Sequence, residues 1–291
     1  MTVHAPSLSS EARMSGADLV FILGSGRSGT KMAAKLFAGV EHVEAHHEYV
    51  RDTYQREAAL YFMGKLDKAA MARRLQDIYG AAAHYSLGRY FLDSSNKLSW
   101  VADVLVEAFP KARFVHLARD GRKVASSFFH KLGGHVYSDR GVKALQTWLA
   151  APDQHPMPPP PEDFWWVIPQ RGQLFHAEFP GFDQFQRCCY QWAESNRAIV
   201  EALEAVPAER KLSLKLEALS SSAEEVKRLL SFLDTPFDES FVEVLSRPQH
   251  VYVPLDYPLT PEQQVQFAEI GGPMMQRLGY DLGVQEYRMR Y

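Results

Sequence analysis

Asp18-Leu-Val-Phe-Ile-Leu-Gly-Ser-Gly-Arg-Ser-Gly-Thr-Lys31 is the stretch on which the reading of this chain turns. It starts with a short, nearly continuous apolar run closed by glycine, the pattern of a strand buried on both faces in a parallel sheet. A glycine-rich turn, Gly24 to Gly29, follows, and Lys31 to Phe37 continues at helical spacing. Glycines let the backbone curl so that successive N–H groups point inward, and a helix N-terminus adds its partial positive charge. A strand, such a turn and a helix together make an anion cradle. Its expected contacts are Gly26, Arg27, Ser28, Gly29, Thr30 and Lys31, with side-chain donors from Arg27, Ser28 and Thr30.

Two familiar phosphate loops are close to this one. A Walker A loop requires Gly-x-x-x-x-Gly-Lys-Ser/Thr, whereas Thr30 here precedes Lys31. The dinucleotide pattern Gly-x-Gly-x-x-Gly matches Gly24, Gly26 and Gly29, with Glu44 or Glu48 as the acidic residue about 20 positions on.

Working outward, further short apolar runs occur at His42–Ala45, Tyr90–Asp93, Phe114–Ala118 and Leu212–Leu216. Helical patterns separate them, among them Tyr54–Met63, Ala69–Tyr79, Trp100–Phe109, Phe185–Leu203, Ala223–Leu233 and Pro261–Leu278. Strands alternating with helices predict an α/β fold with a parallel β-sheet flanked by helices. Residues 1–17 lack periodicity and are expected to be a flexible tail; 18–291 are expected to form a single domain. Residues 151–182 interrupt the alternation with four consecutive prolines (Pro158 to Pro161) and then Phe164-Trp165-Trp166. Such prolines fit neither a helix nor a central strand, so this insert is expected to be an ordered loop, either a lid or a brace.

The chain has 291 residues, 46% of them hydrophobic and 23% charged, which is ordinary globular composition. Its 32 Lys+Arg against 35 Asp+Glu leave a net charge of −3. That excludes a broadly basic nucleic-acid surface but leaves room for a local cationic pocket. No uncharged apolar run approaches about 18 residues, so no transmembrane segment is expected. The two cysteines, Cys188 and Cys189, are neighbours on a helical pattern, and neither a disulfide nor a cysteine zinc site is expected of them. A cytoplasmic location fits this usage.

A second motif, Phe114-Val-His-Leu-Ala-Arg119-Asp-Gly-Arg122-Lys-Val-Ala-Ser126-Ser127, again runs from strand to helix. Ligands of parallel sheets gather outside the carboxyl ends of the strands, so Arg119, Arg122 and Lys123 are expected in the same crevice as the glycine loop, with Ser127 joining an arginine fork to hold a second anionic group. Arg122 and Lys123 at a helix N-terminus oppose its dipole, which suggests a purpose for their charge. His116, inside the strand, reads as a core histidine.

Taken together the two motifs resemble those of sulfotransferases that use 3′-phosphoadenosine 5′-phosphosulfate (PAPS). Gly24 to Thr30 is similar to their 5′-phosphosulfate loop, and Arg119 to Ser127 to their 3′-phosphate motif with its eight-residue step. Phe109 to Leu117, Tyr190 to Asn196, Leu212 to Leu219 and Gly279-Tyr280 extend the resemblance over about Leu19 to Tyr280, with Ala151 to Phe182 unmatched. It implies a P-loop-like sulfotransferase fold and transfer of a sulfuryl group from PAPS to a hydroxyl or amine without a metal, leaving 3′-phosphoadenosine 5′-phosphate. The acceptor class stays open between a small molecule, a glycan and a lipid, and so does the oligomeric state.

The resemblance also assigns roles. Arg27 stabilises charge on the bridging oxygen, and a general base comes from His46-His47-Glu48, Glu48 first, with Asp93 as the fallback. Asp93-Ser-Ser-Asn-Lys97 is similar to the family's acceptor-side segment, so Lys97 is expected at the transferring sulfonate and Ser94 and Ser95 at the acceptor. In the unmatched insert, the aromatic side chains themselves lead to the expectation that Trp165 and Trp166, with Phe164, stack on a sugar, an aromatic ring or an acyl chain of the acceptor. Lys31 stands where the family commonly has Thr or Ser, and its Arg-Lys-Gly element has no match; Arg247 is a possible substitute. Competing readings are a P-loop kinase or NTPase with Asp93 as its Walker B carboxylate, a non-catalytic nucleotide- or glycan-binding module, and a dehydrogenase.

Overall fold

The computed structural model describes residues 16–151, 154, 159, 166–246 and 257–283. Met1 to Ser15 of the expected tail, Trp165, Pro158 and the prolines 160–161, and Arg247 lie outside the described residues. Ala17, assigned to the tail by sequence, is instead buried and donates to the Ala83 carbonyl at 2.8 Å.

Five strands form one sheet: β1 (Asp18–Leu23), β2 (Val43–His47), β3 (Tyr90–Ser95), β4 (Arg113–Ala118) and β5 (Lys211–Lys215). Their order is β2-β3-β1-β4-β5, and every pairing is parallel. The helices are α1 (Thr30–Phe37), α2 (Gln55–Phe62), α3 (Lys68–Tyr85), α4 (Ala102–Ala108), α5 (Gly121–Leu132) and α6 (Asp139–Ala150), then α7 (Gln184–Glu204), α8 (Leu216–Leu219), α9 (Ala223–Phe232), α10 (Glu239–Ser246) and α11 (Pro261–Arg277).

Alternation along β1 divides the core in two. Phe21 and Leu23 join a large apolar cluster with Phe91, Phe114 and residues of α3, α4, α5, α7 and α11. Val20 and Ile22 join the opposite cluster with Leu92, Val115, Leu117 and residues of α1 and α9. Both faces of the strand are covered, which is why its sequence is apolar throughout.

Two strands run further than their apolar runs. The apolar stretch His42–Ala45 corresponds to a strand that continues to His47, and Tyr90–Asp93 to one that continues to Ser95. Parallel neighbours supply the backbone bonds there (His46 opposite Asp93, His47 opposite Ser94, Ser95 opposite Leu23), so the polar side chains need only local partners. Ser94 Oγ donates to the Thr30 carbonyl at 2.8 Å, and Ser95 Oγ meets Tyr54 Oη at 3.1 Å. The helical pattern Trp100–Phe109 begins as a 3-10 turn, Lys97–Val101, before α4.

The described end of the insert is a packed brace. Trp166, Val167, Ile168 and Phe179 are buried, and the Tyr137 hydroxyl donates to the Val167 carbonyl at 2.6 Å. Phe179 lies edge-on to Tyr190 on α7 at 5.2 Å. Cys188 and Cys189, on the same helix, are buried free thiols.

Candidate active site

The turn after β1 is held open by backbone geometry. Gly26, Arg27 and Gly29 have φ of 77°, 53° and 96°, and Gly29 caps α1. A Cβ at Gly29 would stand 2.7 Å from Leu216 Cδ1, so both the φ and the close approach call for glycine. Ser28 Oγ is buried without a hydrogen-bond partner, an orphaned hydroxyl inside a loop that opens toward a helix N-terminus. A buried orphan of this kind calls for an explanation, and an anion seated in the cradle supplies it. Thr30 Oγ1 lies 3.3 Å from His47 Nε2, and Lys31 is half-buried on the first turn of α1.

The second motif closes onto this loop. Arg119, just past β4, donates from Nη1 to the Arg27 carbonyl at 2.8 Å. Arg27 in turn donates from Nε to Ser127 Oγ on α5 at 3.0 Å. Two arginines and a serine hydroxyl from separate strand–helix junctions thus interlock at the carboxyl edge of the sheet. Arg122, expected in the same crevice, turns elsewhere. Its guanidinium grips Asp120 (Nε to Oδ1 at 3.1 Å, Nη2 to Oδ2 at 2.8 Å) and the carbonyls of Asp281 and Gly283. Asp120 also accepts the Arg122 amide, so an adjacent carboxylate offsets the unfavourable cation at the N-terminus of α5.

Beside the loop lies a cavity of about 160 Å³ that unites several of the expected residues. Gly26, Arg27, Glu48, Arg51, Asn96 and Lys97 form its polar side; Phe128, Leu132, Val136 and Trp166 form an apolar wall, with Gln191 between. Of the base trio, only Glu48 reaches it. Its Oε1 accepts from Asn96 Nδ2 at 2.7 Å and its Oε2 from Arg51 Nη1 at 2.8 Å, an arrangement suited to a carboxylate. His46 lies on the opposite side of the strand from His47, stacked on Phe91 at 4.8 Å with Nε2 3.0 Å from Glu44 Oε1.

Lys97 is 7% exposed, with Nζ 4.7 Å from the Trp100 ring centroid. Burial pushes its ammonium down to about 7, Arg51 adding to the depression and Glu48 opposing it. Asp93 is fully buried and does not line the cavity; its Oδ2 accepts from the Tyr79 hydroxyl at 2.6 Å and its Oδ1 from the Tyr49 amide at 3.0 Å. Burial pushes its carboxyl up to about 7. Ser94 and Ser95, expected to hold an acceptor, are buried behind the cavity on protein partners. Trp166 lines the cavity wall but packs at a tilt against Tyr137, ring centroids 4.7 Å apart, instead of standing open in solvent. His116 is the core histidine expected, with Nε2 2.8 Å from Asn196 Oδ1.

Sequence reasoning singled out Trp166 of the apolar wall but not Arg51, Asn96, Phe128, Leu132 or Val136. Arg51 stands three residues after Glu48, an ion-pair spacing that gains meaning only once a 3-10 turn (Arg51–Thr53) is known to follow. No group of three or more His, Cys, Asp or Glu able to hold a metal occurs among the described residues.

Residues 19–155 match the model described as "Sulfotransferase family". No curated protein matches the chain in sequence. Among solved structures, the fold is similar to the sulfotransferase domain of the olefin synthase from Synechococcus PCC 7002. The TM-score is 0.51 at 16% identity, over 92% of this chain and 97% of that one. A sulfotransferase from Mycobacterium avium superposes with a TM-score of 0.50 at 13% identity, over 94% of this chain and 79% of that one. At such identities the likeness is one of fold, and the expected parallel α/β architecture of these enzymes is met.

Proposed function

We propose that the protein, whose residues 19–155 match the sulfotransferase family model, transfers the sulfuryl group of PAPS to the hydroxyl or amine of an acceptor. The observation that carries this reading is the meeting of the glycine loop and the Arg119–Ser127 motif beside a cavity holding Glu48 and Lys97. The donor set suits an anionic nucleotide: loop amides, the orphaned Ser28 hydroxyl and Arg27 for the phosphosulfate, Arg119 and Ser127 for the 3′-phosphate.

Sulfuryl transfer resembles phosphoryl transfer through a loose transition state, so positioning and charge stabilisation do most of the work. The acceptor oxygen forms a bond to sulfur as the bond from sulfur to the bridging phosphate oxygen breaks. Glu48 takes the acceptor proton, its carboxylate held in place by Arg51 and Asn96. Arg27 stabilises the charge that builds on the departing phosphate, and Lys97 in its protonated form adds a cation beside the sulfonate. The acceptor is proposed to be a small molecule, glycan or lipid, with Trp166 in its wall, and the setting a reducing cytoplasm, in keeping with two free buried thiols. No described helix is long and apolar enough to cross a membrane.

Mass spectrometry of an acceptor panel incubated with PAPS tests the reading directly. Arg119→Ala is expected to weaken 3′-phosphoadenosine 5′-phosphate binding by tenfold or more (~1.4 kcal/mol per tenfold), and Glu48→Gln to spare that binding while turnover falls about 10²- to 10⁴-fold. Tight nucleotide binding with no transfer to any acceptor favours a binding module instead, and Mg²⁺-dependent ATP turnover favours a kinase.

A further inference from the structure

Glu48 reaches the cavity through an unfavourable backbone. Its φ is 56°, and two residues on Val50 has φ 40°, both in the left-handed region that non-glycine residues avoid at roughly 1–2 kcal/mol each. The β-branched Val50 is the more improbable of the two. Strain persists only where surrounding bonds over-determine it, and the inference runs from such an outlier toward function.

The bonds that determine this turn come from β3. Glu48 N donates to the Ser94 carbonyl at 3.2 Å, and the Tyr49 amide donates to Asp93 Oδ1 at 3.0 Å. Asp93 is itself held by the Tyr79 hydroxyl from α3, 2.6 Å from Oδ2. The ring of Tyr49 packs edge-on to Phe91 at 5.0 Å and lies 6.3 Å from that of Tyr79. Beyond this lies Tyr54, whose hydroxyl meets Ser95 two residues before Lys97.

We propose that Asp93 is a positioning residue for the reaction: by accepting the Tyr49 amide it locks the left-handed turn that presents Glu48 to the cavity, and Tyr79 fixes Asp93 in turn. The inference rests on the reading of Glu48 as general base. Asp93 therefore serves not as an alternative base but as the anchor of the base. Burying a carboxyl here is costly, and its pKa stands at about 7 even though the hydrogen bonds from Tyr79 and Tyr49 oppose the upward push of burial.

The test uses steady-state kinetics and 3′-phosphoadenosine 5′-phosphate titration of the full chain. Asp93→Leu, similar in shape but without an acceptor, is expected to lower kcat about 10- to 100-fold, the range that misplacement of a reacting group produces. Nucleotide affinity stays within about twofold, because the hydrogen bonds of Asp93 run to the Tyr49 amide and the Tyr79 hydroxyl. Asp93→Asn, which keeps an oxygen for the Tyr49 amide, rescues kcat to within a few-fold. In a Glu48→Gln background Asp93→Leu adds no further loss, since it acts through Glu48. Should Asp93→Leu fail to fold, Tyr79→Phe is read in the same way, with a smaller fall in kcat and unchanged nucleotide affinity. Wild-type kcat in the variant that folds overturns the proposal, as does an equal fall in kcat and nucleotide affinity, or a further loss in the Glu48→Gln background. If Glu48→Gln itself keeps full turnover, it is the assignment of the base that fails.

Discussion

Arg27 Nε lies 3.0 Å from Ser127 Oγ, a bond that ties the turn after β1 to the middle of α5 across one hundred residues of chain. With the bond from Arg119 to the Arg27 carbonyl, it makes the two strand–turn–helix motifs one structure instead of two neighbours. A nucleotide carrying a phosphate at each end is the ligand such a construction suits.

Coupling between the motifs is therefore expected in binding. Arg27→Ala and Ser127→Ala should each weaken 3′-phosphoadenosine 5′-phosphate, and the double variant should cost less than their combined losses. Side chains that share a hydrogen bond typically show an interaction energy of about 0.5–3 kcal/mol. Isothermal titration of the four proteins measures it, and strict additivity would show that the bond contributes nothing to the site.

Lys97 sets a pH dependence. Its pKa lies well below the usual lysine value, at about 7, chiefly because it is buried, so in the unliganded protein it loses its proton as pH rises through neutrality. If the protonated form holds the sulfonate, kcat/KM for PAPS should fall on the alkaline side of about pH 7. Lys97→Met should lower the plateau and remove that limb. A pH profile in which the limb persists in Lys97→Met assigns it to another group.

Asp93 sets another, in stability. Burial raises its pKa from 3.8 to about 7, so between those values the folded state holds a proton that the unfolded chain has released. The stabilisation this confers is complete below pH 3.8 and is lost as pH rises through 7. Thermal melts should therefore show the wild type losing ground to Asp93→Asn across that window, with a constant difference above it. A difference that does not change from pH 4 to pH 8 contradicts the raised pKa.

Most of the frame was legible beforehand because it rests on local pattern. Each of the five apolar runs became a strand, and their alternation with helices entailed a parallel sheet, since parallel strands need crossovers. Boundaries were less legible. Ser94 and Ser95 are polar, and only strand neighbours on both sides explain why they continue β3.

At the site, residue type and motif brought Arg27, Arg119, Ser127, Glu48 and Lys97 into view. They gave the wrong direction for Arg122, whose charge is answered by Asp120 two residues before it and by the carbonyls of Asp281 and Gly283. Nor did they separate Glu48 from its histidine neighbours. Adjacent residues of a strand point to opposite faces, so one of the two histidines faces α1 and the other Phe91.

The sequence by itself determined the glycine turn, because a glycine-rich segment between a buried strand and a helix has few other conformations, and it determined the sheet that carries the turn. The tertiary structure alone decided which carboxylate meets the cavity. That choice depends on a left-handed turn at Glu48 held by Asp93 from the neighbouring strand and Tyr79 from α3, through bonds that span 44 and 14 residues of chain and that no local pattern encodes.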